Sequence, residues 1–362
     1  MQLSAETSSG SPARPDAANS PTPERPGTAT SHQQRLLGLA LNLIRLGPGI
    51  VLLIAVVVMS LLTPTFFTVL NLTNLAVQSA VVCLTALGQL LVIVARGIDL
   101  SIGSVIALTG VVGTLLFYHG TITNGLFIVV IMLAVGAAVG LLNGVLATKG
   151  RVAALIVTLA GLYALRGIAL VLSDGSPIPA SPPLVNALGG GQLGPLPAPV
   201  LVVLACVGVA ALITRRTQLG RWIYAIGGNP EAARRLGIPV SKVVITLYVF
   251  SGLAAGLAGV LTAGRSASGF PNAGELGELN AVAAVIIGGA SLMGGRGSVS
   301  GTVVGALLLG VIANGLNLLN VNPFWQEIAT GAVILLAVQL DVLRQHLEVR
   351  FRSHQTELVG PS

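Results

Sequence analysis

Residues 125–148 read GLFIVVIMLAVGAAVGLLNGVLAT and contain no charged side chain, and Lys149 follows them directly. A helical run of about 20 apolar residues crosses a hydrocarbon core of roughly 30 Å. Similar runs recur along the 362 residues, of which 53% are hydrophobic and 9% are charged. Soluble domains carry about 25% charged residues. The chain is therefore predicted to be an all-α polytopic membrane protein.

About ten transmembrane helices are predicted from these runs. They cover residues 47–63, 76–95, 101–117, 125–148, 152–172, 198–213, 243–264, 277–293, 298–318 and 324–340. Residues 1–33 are rich in Pro, Ser, Thr and Ala without an apolar period, which predicts a disordered cytoplasmic tail. The transmembrane domain then comprises residues 34–345, and residues 346–362 form a C-terminal tail.

Basic residues in the loops predict the orientation, because cytoplasmic loops carry an excess of Lys and Arg. With a cytoplasmic N-terminus, the outside loops hold only Arg265, and the inside loops hold Arg96, Lys149, Arg151, Arg215, Arg216, Arg221, Arg234, Arg235, Lys242 and Arg296. Both termini are therefore expected in the cytoplasm, where residues 214–242 form the largest loop. The longest outside loop, residues 173–197, is interpreted as a connector or as a contact surface for an external protein. The net charge of +7 reflects this orientation and does not indicate nucleic-acid binding.

The large cytoplasmic loop contains the sequence of a complete short helix, GGNPEAARRLGIP at residues 227–239. Asn is a good N-cap, Pro suits the first helical position, and Gly can end a helix in the left-handed conformation. About two helical turns are too short to be stable alone in water. The predicted element is therefore a docking helix for a partner, formed by Asn229, Pro230, Glu231, Ala232, Ala233, Arg234, Arg235, Leu236 and Gly237.

Two pairs of short motifs indicate an internal repeat. Ile98-Asp99-Leu100-Ser101 opens the third span, and Gly277-Glu278-Leu279-Asn280 opens the eighth. Asn143-Gly144 lies near the end of the fourth span, as Asn314-Gly315 does in the ninth. Spans 2–5 then correspond to spans 7–10. Because five spans separate the copies, the second crosses the membrane in the opposite sense, which predicts an inverted repeat.

The residue patterns of an enzyme or a nucleotide site are missing from the sequence. The histidines His32, His119, His346 and His354 have no ligand spacing, so no metal site is predicted. The Gly-rich residues 288–298 lack the lysine and the preceding strand of a phosphate-binding loop and are interpreted as a tight turn. We expect no catalytic residue, metal or cofactor on this chain.

Polar residues on or near the spans are candidates for a solute path. Amide and hydroxyl groups can exchange hydrogen bonds with a passing hydroxylated solute, but they also join helices to each other. Carboxylates at helix starts are also explained by free N–H groups and the helix dipole. The candidates are Gln78, Gln89, Asp99, Ser101, Asn143, Thr158, Glu278, Asn280 and Asn314.

Four motifs, taken in order, resemble the ribose-type sugar permeases of bacterial ABC importers. They are GIDLSIGS at residues 97–104, Asn143-Gly144, GNPEAAR at residues 228–234 with Gly237-Ile238, and ELNAVAAVIIGG at residues 278–289. The resemblance covers residues 45–340 and leaves the N-terminal tail outside.

This resemblance implies a permease subunit in the bacterial cytoplasmic (inner) membrane that works with a second permease subunit, as a homodimer or a close heterodimer. It further implies two cytoplasmic ABC ATP-binding subunits, which hold ATP and Mg²⁺, and a periplasmic-type sugar-binding protein outside. The cytoplasmic loop of such permeases carries a coupling helix that contacts the ATPase, here Glu231 to Gly237.

Three other functions were weighed. Branched-chain amino-acid permeases belong to the same wider superfamily. An ion-coupled secondary transporter would need an intramembrane carboxylate or broken helices near the midplane, whereas Asp99 and Glu278 are predicted at span edges. An integral membrane enzyme is disfavoured because no His or carboxylate cluster is present.

Overall fold

The computed structural model describes residues 31–150, 152–322, 324–332, 335 and 339. Its elements are α1 Ser31–Leu62, α2 Val69–Val94, α3 Ile102–Tyr118, α4 Gly125–Thr148, α5 Ala154–Leu172, α6 Pro183–Gly190, β1 Gln192–Leu193, β2 Leu196–Pro197, α7 Ala198–Arg216, α8 Gln218–Gly228, α9 Pro230–Arg235, α10 Val240–Ser266, α11 Gly277–Ile287 and α12 Val299–Leu318. Residues 324–332 are also helical. The predicted all-α class is confirmed, with one antiparallel hairpin of β1 and β2.

Six of the described helices are long and apolar enough to cross a membrane, namely α2, α4, α5, α7, α10 and α12. Three apolar stretches are shorter: Gly47–Leu62 within α1, α3 and α11. The predicted span at residues 277–293 is wrong at its end, because α11 stops at Ile287 and Gly289 takes φ +86°. The described part of the chain therefore supports a membrane protein with several spans, but it does not establish ten full-length spans.

Several predicted segments fall partly or wholly outside the described residues. The last predicted span, residues 324–340, is described only in part, and the tail at residues 346–362 is not described. The predicted disordered tail, residues 1–33, lies outside except for residues 31–33, which begin α1.

Both long loops contain more regular structure than predicted. The segment 214–242, which is predicted to be cytoplasmic, is largely helical, because α7 continues to Arg216, α8 and α9 follow, and α10 already begins at Val240. The segment 173–197, which is predicted to lie outside, contains α6 and the hairpin. In α8, Gly220, Ile223 and Ile226 lie on one buried face at helical spacing, so packing on the bundle stabilises this helix.

The bundle core is built around α2 and α10, which pack on each other. Helix α2 also contacts α11 and α12, and α10 also contacts α3 and α4. The seam between α4 and α10 is lined by glycines: a side chain at Gly136 would overlap the Gly252 carbonyl, and one at Gly140 would overlap the Tyr248 carbonyl. Small residues thus let these two backbones approach closely.

Candidate functional site

Helix α9, the predicted docking helix, has the caps that its sequence predicts. The Asn229 side chain accepts hydrogen bonds from the backbone N–H groups of Glu231 and Ala232, both at 3.0 Å. At the other end Gly237 takes φ +81° and donates its N–H to the Arg234 carbonyl at 2.9 Å. These bonds satisfy backbone groups that a helix of six residues cannot pair internally.

In the single chain, one face of α9 is exposed and therefore accessible to a partner protein. Ala233 is buried against the bundle, whereas Glu231, Arg234 and Arg235 are exposed. Glu231 forms ion pairs with Arg234 at 3.4 Å and Arg235 at 3.8 Å. Leu236 is 80% exposed. A basic, partly apolar surface on a well-capped helix suits binding to another protein.

The loop after α2 fastens α8 and α9 to the bundle. Arg96 donates from Nε to the Gly227 carbonyl at 2.8 Å and from Nη2 to the Gly228 carbonyl at 2.7 Å. Gly227 lies so close to Val94 and Gly295 that any side chain there would overlap their backbones. The connection between α9 and the helices is therefore short and rigid.

The Gly-rich turn before α12 belongs to the same junction. The Gly295 N–H donates to the Val94 carbonyl at 2.8 Å, and the Tyr224 hydroxyl of α8 donates to the Gly297 carbonyl at 2.8 Å. Burial raises the pKa of Tyr224, so its hydroxyl stays protonated at neutral pH. Residues 288–298 form the predicted turn, which holds α8 against α2.

A second polar cluster lies inside the bundle around Asp99. One carboxylate oxygen of Asp99 accepts from the Ser101 N–H at 3.0 Å and from its hydroxyl at 2.6 Å. The other accepts from the Ser251 hydroxyl at 2.8 Å. Asn143 donates its amide to the Ser101 hydroxyl at 2.9 Å. When the Gln89 amide is oriented so that both of its polar atoms have a partner, its nitrogen donates to the Asp99 carbonyl and its oxygen accepts from the Asp99 N–H.

The position of this cluster corrects one sequence-based interpretation. Asp99 was expected at the edge of a span, but its partner Ser251 lies near the middle of α10. The non-helical residues between α2 and α3 thus enter the bundle, where the hydroxyls of Thr158 and Tyr248 both donate to the Ile98 carbonyl at 3.2 Å. Such backbone is tolerated at membrane depth where protein buries it.

Glu278 lies in the first turn of α11 and is 8% exposed. Its oxygen Oε2 lies against Gly103 of α3, where a side chain would overlap it. Within the described residues, Oε2 has no hydrogen-bond partner. Arg166 of α5 interacts electrostatically with Glu278, but its Nη1 donates to the carbonyls of Pro271 and Ala273 at 2.9 and 2.7 Å.

The remaining path candidates lie apart from the Asp99 cluster. Asn314 of α12 forms a buried reciprocal amide pair with Asn71 of α2, at 2.8 and 3.0 Å. Gln78 and Asn280 are half-buried. The structure thus groups Gln89, Asp99, Ser101, Asn143 and Thr158.

Sequence reasoning missed two members of the Asp99 cluster. Ser251 and Tyr248 lie in an apolar run about 150 residues after Asp99. Nothing in their local sequence distinguishes them from helix-packing residues, so only their tertiary contacts identify them.

Comparisons with known proteins agree on one class. The family model described as "Branched-chain amino acid transport system / permease component" matches residues 71–338. The ribose import permease protein RbsC of Escherichia coli (strain K12) is 44% identical over 300 residues, covering 82% of this chain and 93% of the relative. The D-allose transport system permease protein AlsC of the same organism is 38% identical over 299 residues, covering 82% and 91%.

A third relative, the L-arabinose ABC transporter permease protein AraH of Azospirillum brasilense, is 36% identical over 304 residues, covering 83% and 88%. No solved structure gives a significant match.

Proposed function

The chain belongs to the family of permease components of branched-chain amino acid transport systems, and on this premise we propose that it is the membrane permease subunit of an ABC importer for sugars. It is a transport subunit and not an enzyme, in keeping with its relatives. The resemblance to ribose-type permeases that its motifs predict is confirmed by 44% identity to the ribose import permease protein over 82% of the chain.

A monosaccharide is the favoured solute. The family description names branched-chain amino acids, but the relatives that cover more than four-fifths of this chain are named for ribose, D-allose and L-arabinose. The path candidates carry hydroxyls, amides and carboxylates, which suit a neutral solute with many hydroxyl groups. The branched-chain alternative is therefore not favoured.

The coupling role of α9 is supported by its geometry. A helix of six residues keeps its shape because Asn229 and Gly237 cap it and Ala233 anchors it. Arg96 and Gly227 join it to the C-terminal end of α2 and to the turn before α12. A force applied to the exposed face, Glu231 to Gly237, would therefore be transmitted directly to the bundle. The ATPase would supply ATP and Mg²⁺, and this chain would hold no cofactor.

The other partners follow from the same class of machine. A sugar-binding protein would deliver solute at the outer face, which contains residues 173–197, and a second permease subunit would complete the path in the cytoplasmic membrane. The basic residues of the loops support a cytoplasmic location for α8 and α9 and for both termini.

The inverted repeat is supported by the pattern of helix contacts. In this repeat α2 corresponds to α10, α3 to α11 and α4 to α12, and α5 corresponds to the helix after α12. The equivalent of the packed pair α2–α12 is then α10–α4, and the equivalent of α2–α11 is α10–α3. All four pairs are packed in the bundle. Both copies also begin a shorter helix, α3 or α11, next to a carboxylate.

Uptake in proteoliposomes tests the function. The chain is reconstituted with the ATPase and the binding protein encoded beside it, and import of labelled ribose, D-allose, L-arabinose and leucine is measured. ATP-dependent import of a sugar, but not of leucine, is expected. Vesicles without the permease are the control.

The same vesicles test the secondary-transporter alternative, which the broken helices next to Asp99 and Glu278 keep physically reasonable. Uptake that follows a sodium or proton gradient and ignores ATP would contradict the importer function.

A further inference from the structure

The first turns of α3 and α11 meet at mid-height in the bundle. Gly103 of α3 lies against both Glu278 and the Gly274 carbonyl. Its neighbour Ser104 donates its hydroxyl to the Leu162 carbonyl at 2.6 Å, and Leu162 lies in the middle of α5. The junction therefore lies far from both ends of the helices and between the two halves of the chain.

The segment before α11 reaches this depth from the opposite end to the segment before α3. Gly269 lies against Thr114 near the end of α3, and Gly274 lies against Gly103 at its start. With a rise of about 1.5 Å per residue, the segment descends roughly 16 Å along α3. Transporters with inverted repeats form their solute sites at such broken-helix junctions near the midplane.

Asp99 and Glu278 differ in their hydrogen bonds although they lie at matching places in the two halves. Both oxygens of Asp99 accept hydrogen bonds from serine groups, including the Ser251 hydroxyl. Glu278 Oε2 is buried and has no partner within the described residues. A buried acceptor without a partner is unfavourable and uncommon in proteins.

Arg166 does not donate a hydrogen bond to this oxygen. Its Nη1 donates to the carbonyls of Pro271 and Ala273, so the guanidinium holds the backbone of the descending segment. The group that remains to be supplied is a hydrogen-bond donor without charge.

We propose that Glu278 Oε2 accepts a hydrogen bond from a hydroxyl of the sugar in transit, as Asp99 accepts one from Ser251. This inference rests on the proposed function and assigns one path residue a specific role. Hydrogen bonds from a hydroxyl to a carboxylate are short and strong, and a neutral monosaccharide brings several such donors. Glu278 would thereby discriminate sugars by the presence of one hydroxyl.

The test compares Glu278→Gln with Glu275→Gln in reconstituted complexes. Glu275 is an exposed carboxylate in the same segment that also interacts electrostatically with Arg166, so it is a matched control. Maximal uptake rates are measured for a sugar that the wild-type complex imports and for its monodeoxy analogues. Preferences of the binding protein are common to all variants and cancel when the rate ratios are compared.

We expect at least one deoxy analogue to enter more slowly than the parent sugar in the wild type. The ratio of the uptake rate of the parent sugar to that of this analogue should fall at least threefold in Glu278→Gln and stay unchanged in Glu275→Gln. Unchanged ratios in Glu278→Gln, or an equal loss of rate for every sugar, would overturn the proposal.

Two further outcomes are distinguished from these: a variant that does not reach the membrane, and a wild-type complex that imports no sugar. If Glu278→Gln fails to reach the membrane, Glu278→Asp is compared in the same way, because it keeps the carboxyl group but withdraws its oxygens from the junction. Unchanged ratios in that variant also overturn the inference. A wild-type complex that imports no sugar would overturn the proposed function, and this inference with it.

Discussion

Asp99 is a buried acidic residue whose two side-chain oxygens both accept hydrogen bonds. Ser101 lies two residues away, whereas Ser251 lies in α10 and Asn143 in α4. Ser101 and Ser251 donate to Asp99, and Asn143 donates to Ser101, so the cluster joins the start of α3 to α4 and α10. The Ser251 hydroxyl, which is the donor from α10, therefore contributes to the arrangement of these three helices.

Ser251→Ala should lower the free energy of unfolding by about 1–3 kcal/mol, because it leaves one oxygen of Asp99 buried without its donor. The measurement is the apparent melting temperature of the purified chain in detergent. Ser241→Ala is the matched control, since Ser241 is exposed in the same helix, and exposed substitutions usually change stability by less than about 0.5 kcal/mol. Equal melting temperatures for both variants would contradict a structural role of the Ser251 hydroxyl.

Helix α9 is stabilised by its caps and by its attachment, since its own length is insufficient. Its backbone ends are paired through Asn229 and Gly237, and Arg96 holds the preceding turn. Its charged side chains face outward and make only exposed ion pairs, each worth about 0–1 kcal/mol. The surface residues of α9 are therefore available for function without much effect on the fold.

Replacing both Arg234 and Arg235 with Glu should abolish association with the ATPase, with at least a tenfold loss of co-purifying ATPase, while membrane insertion stays normal. The reversed charges would repel a surface that complements a basic helix. Arg265→Glu makes the same change in an exposed residue of the predicted outer face and should leave co-purification intact. Unchanged co-purification of the double variant would refute the docking assignment.

The whole molecule is held together by close packing between its two halves. Helix α10 of the second half packs on α4 of the first through Gly136, Gly140 and Gly252. In membranes, helix association depends on such close approach, because lipid tails compete for apolar side chains. This seam is consequently sensitive to a single methyl group.

Gly140→Ala should destabilise the protein by about 1–3 kcal/mol, because the added methyl overlaps the Tyr248 carbonyl and the seam must open. The apparent melting temperature and the yield of monodisperse protein would both fall. Gly167→Ala in α5 is the control, since a side chain there meets nothing within 4 Å. A Gly140→Ala variant as stable as Gly167→Ala would show that the seam adapts.

The sequence predicted the elements that depend on local chemistry. The apolar runs of α4 and α10 and the caps of α9 are each set by neighbouring residues, and they agree with the structure. Helices α6 and α8 were missed, because short segments become helical through burial on the bundle. The length of α11 was overestimated, because hydropathy alone does not show where a buried backbone stops being helical.

The sequence by itself determined that this is a polytopic membrane protein and that residues 229–237 form a capped helix, and it predicted which loops face the cytoplasm. These properties follow from hydropathy, charge and local backbone preferences along the chain. Only the tertiary structure decided that Asp99 is paired inside the bundle, that Glu278 Oε2 has no hydrogen-bond partner among the described residues, and that Arg96 joins α9 to the helices. Those contacts join residues that are distant in sequence, and only the packing of the helices brings them within hydrogen-bonding distance.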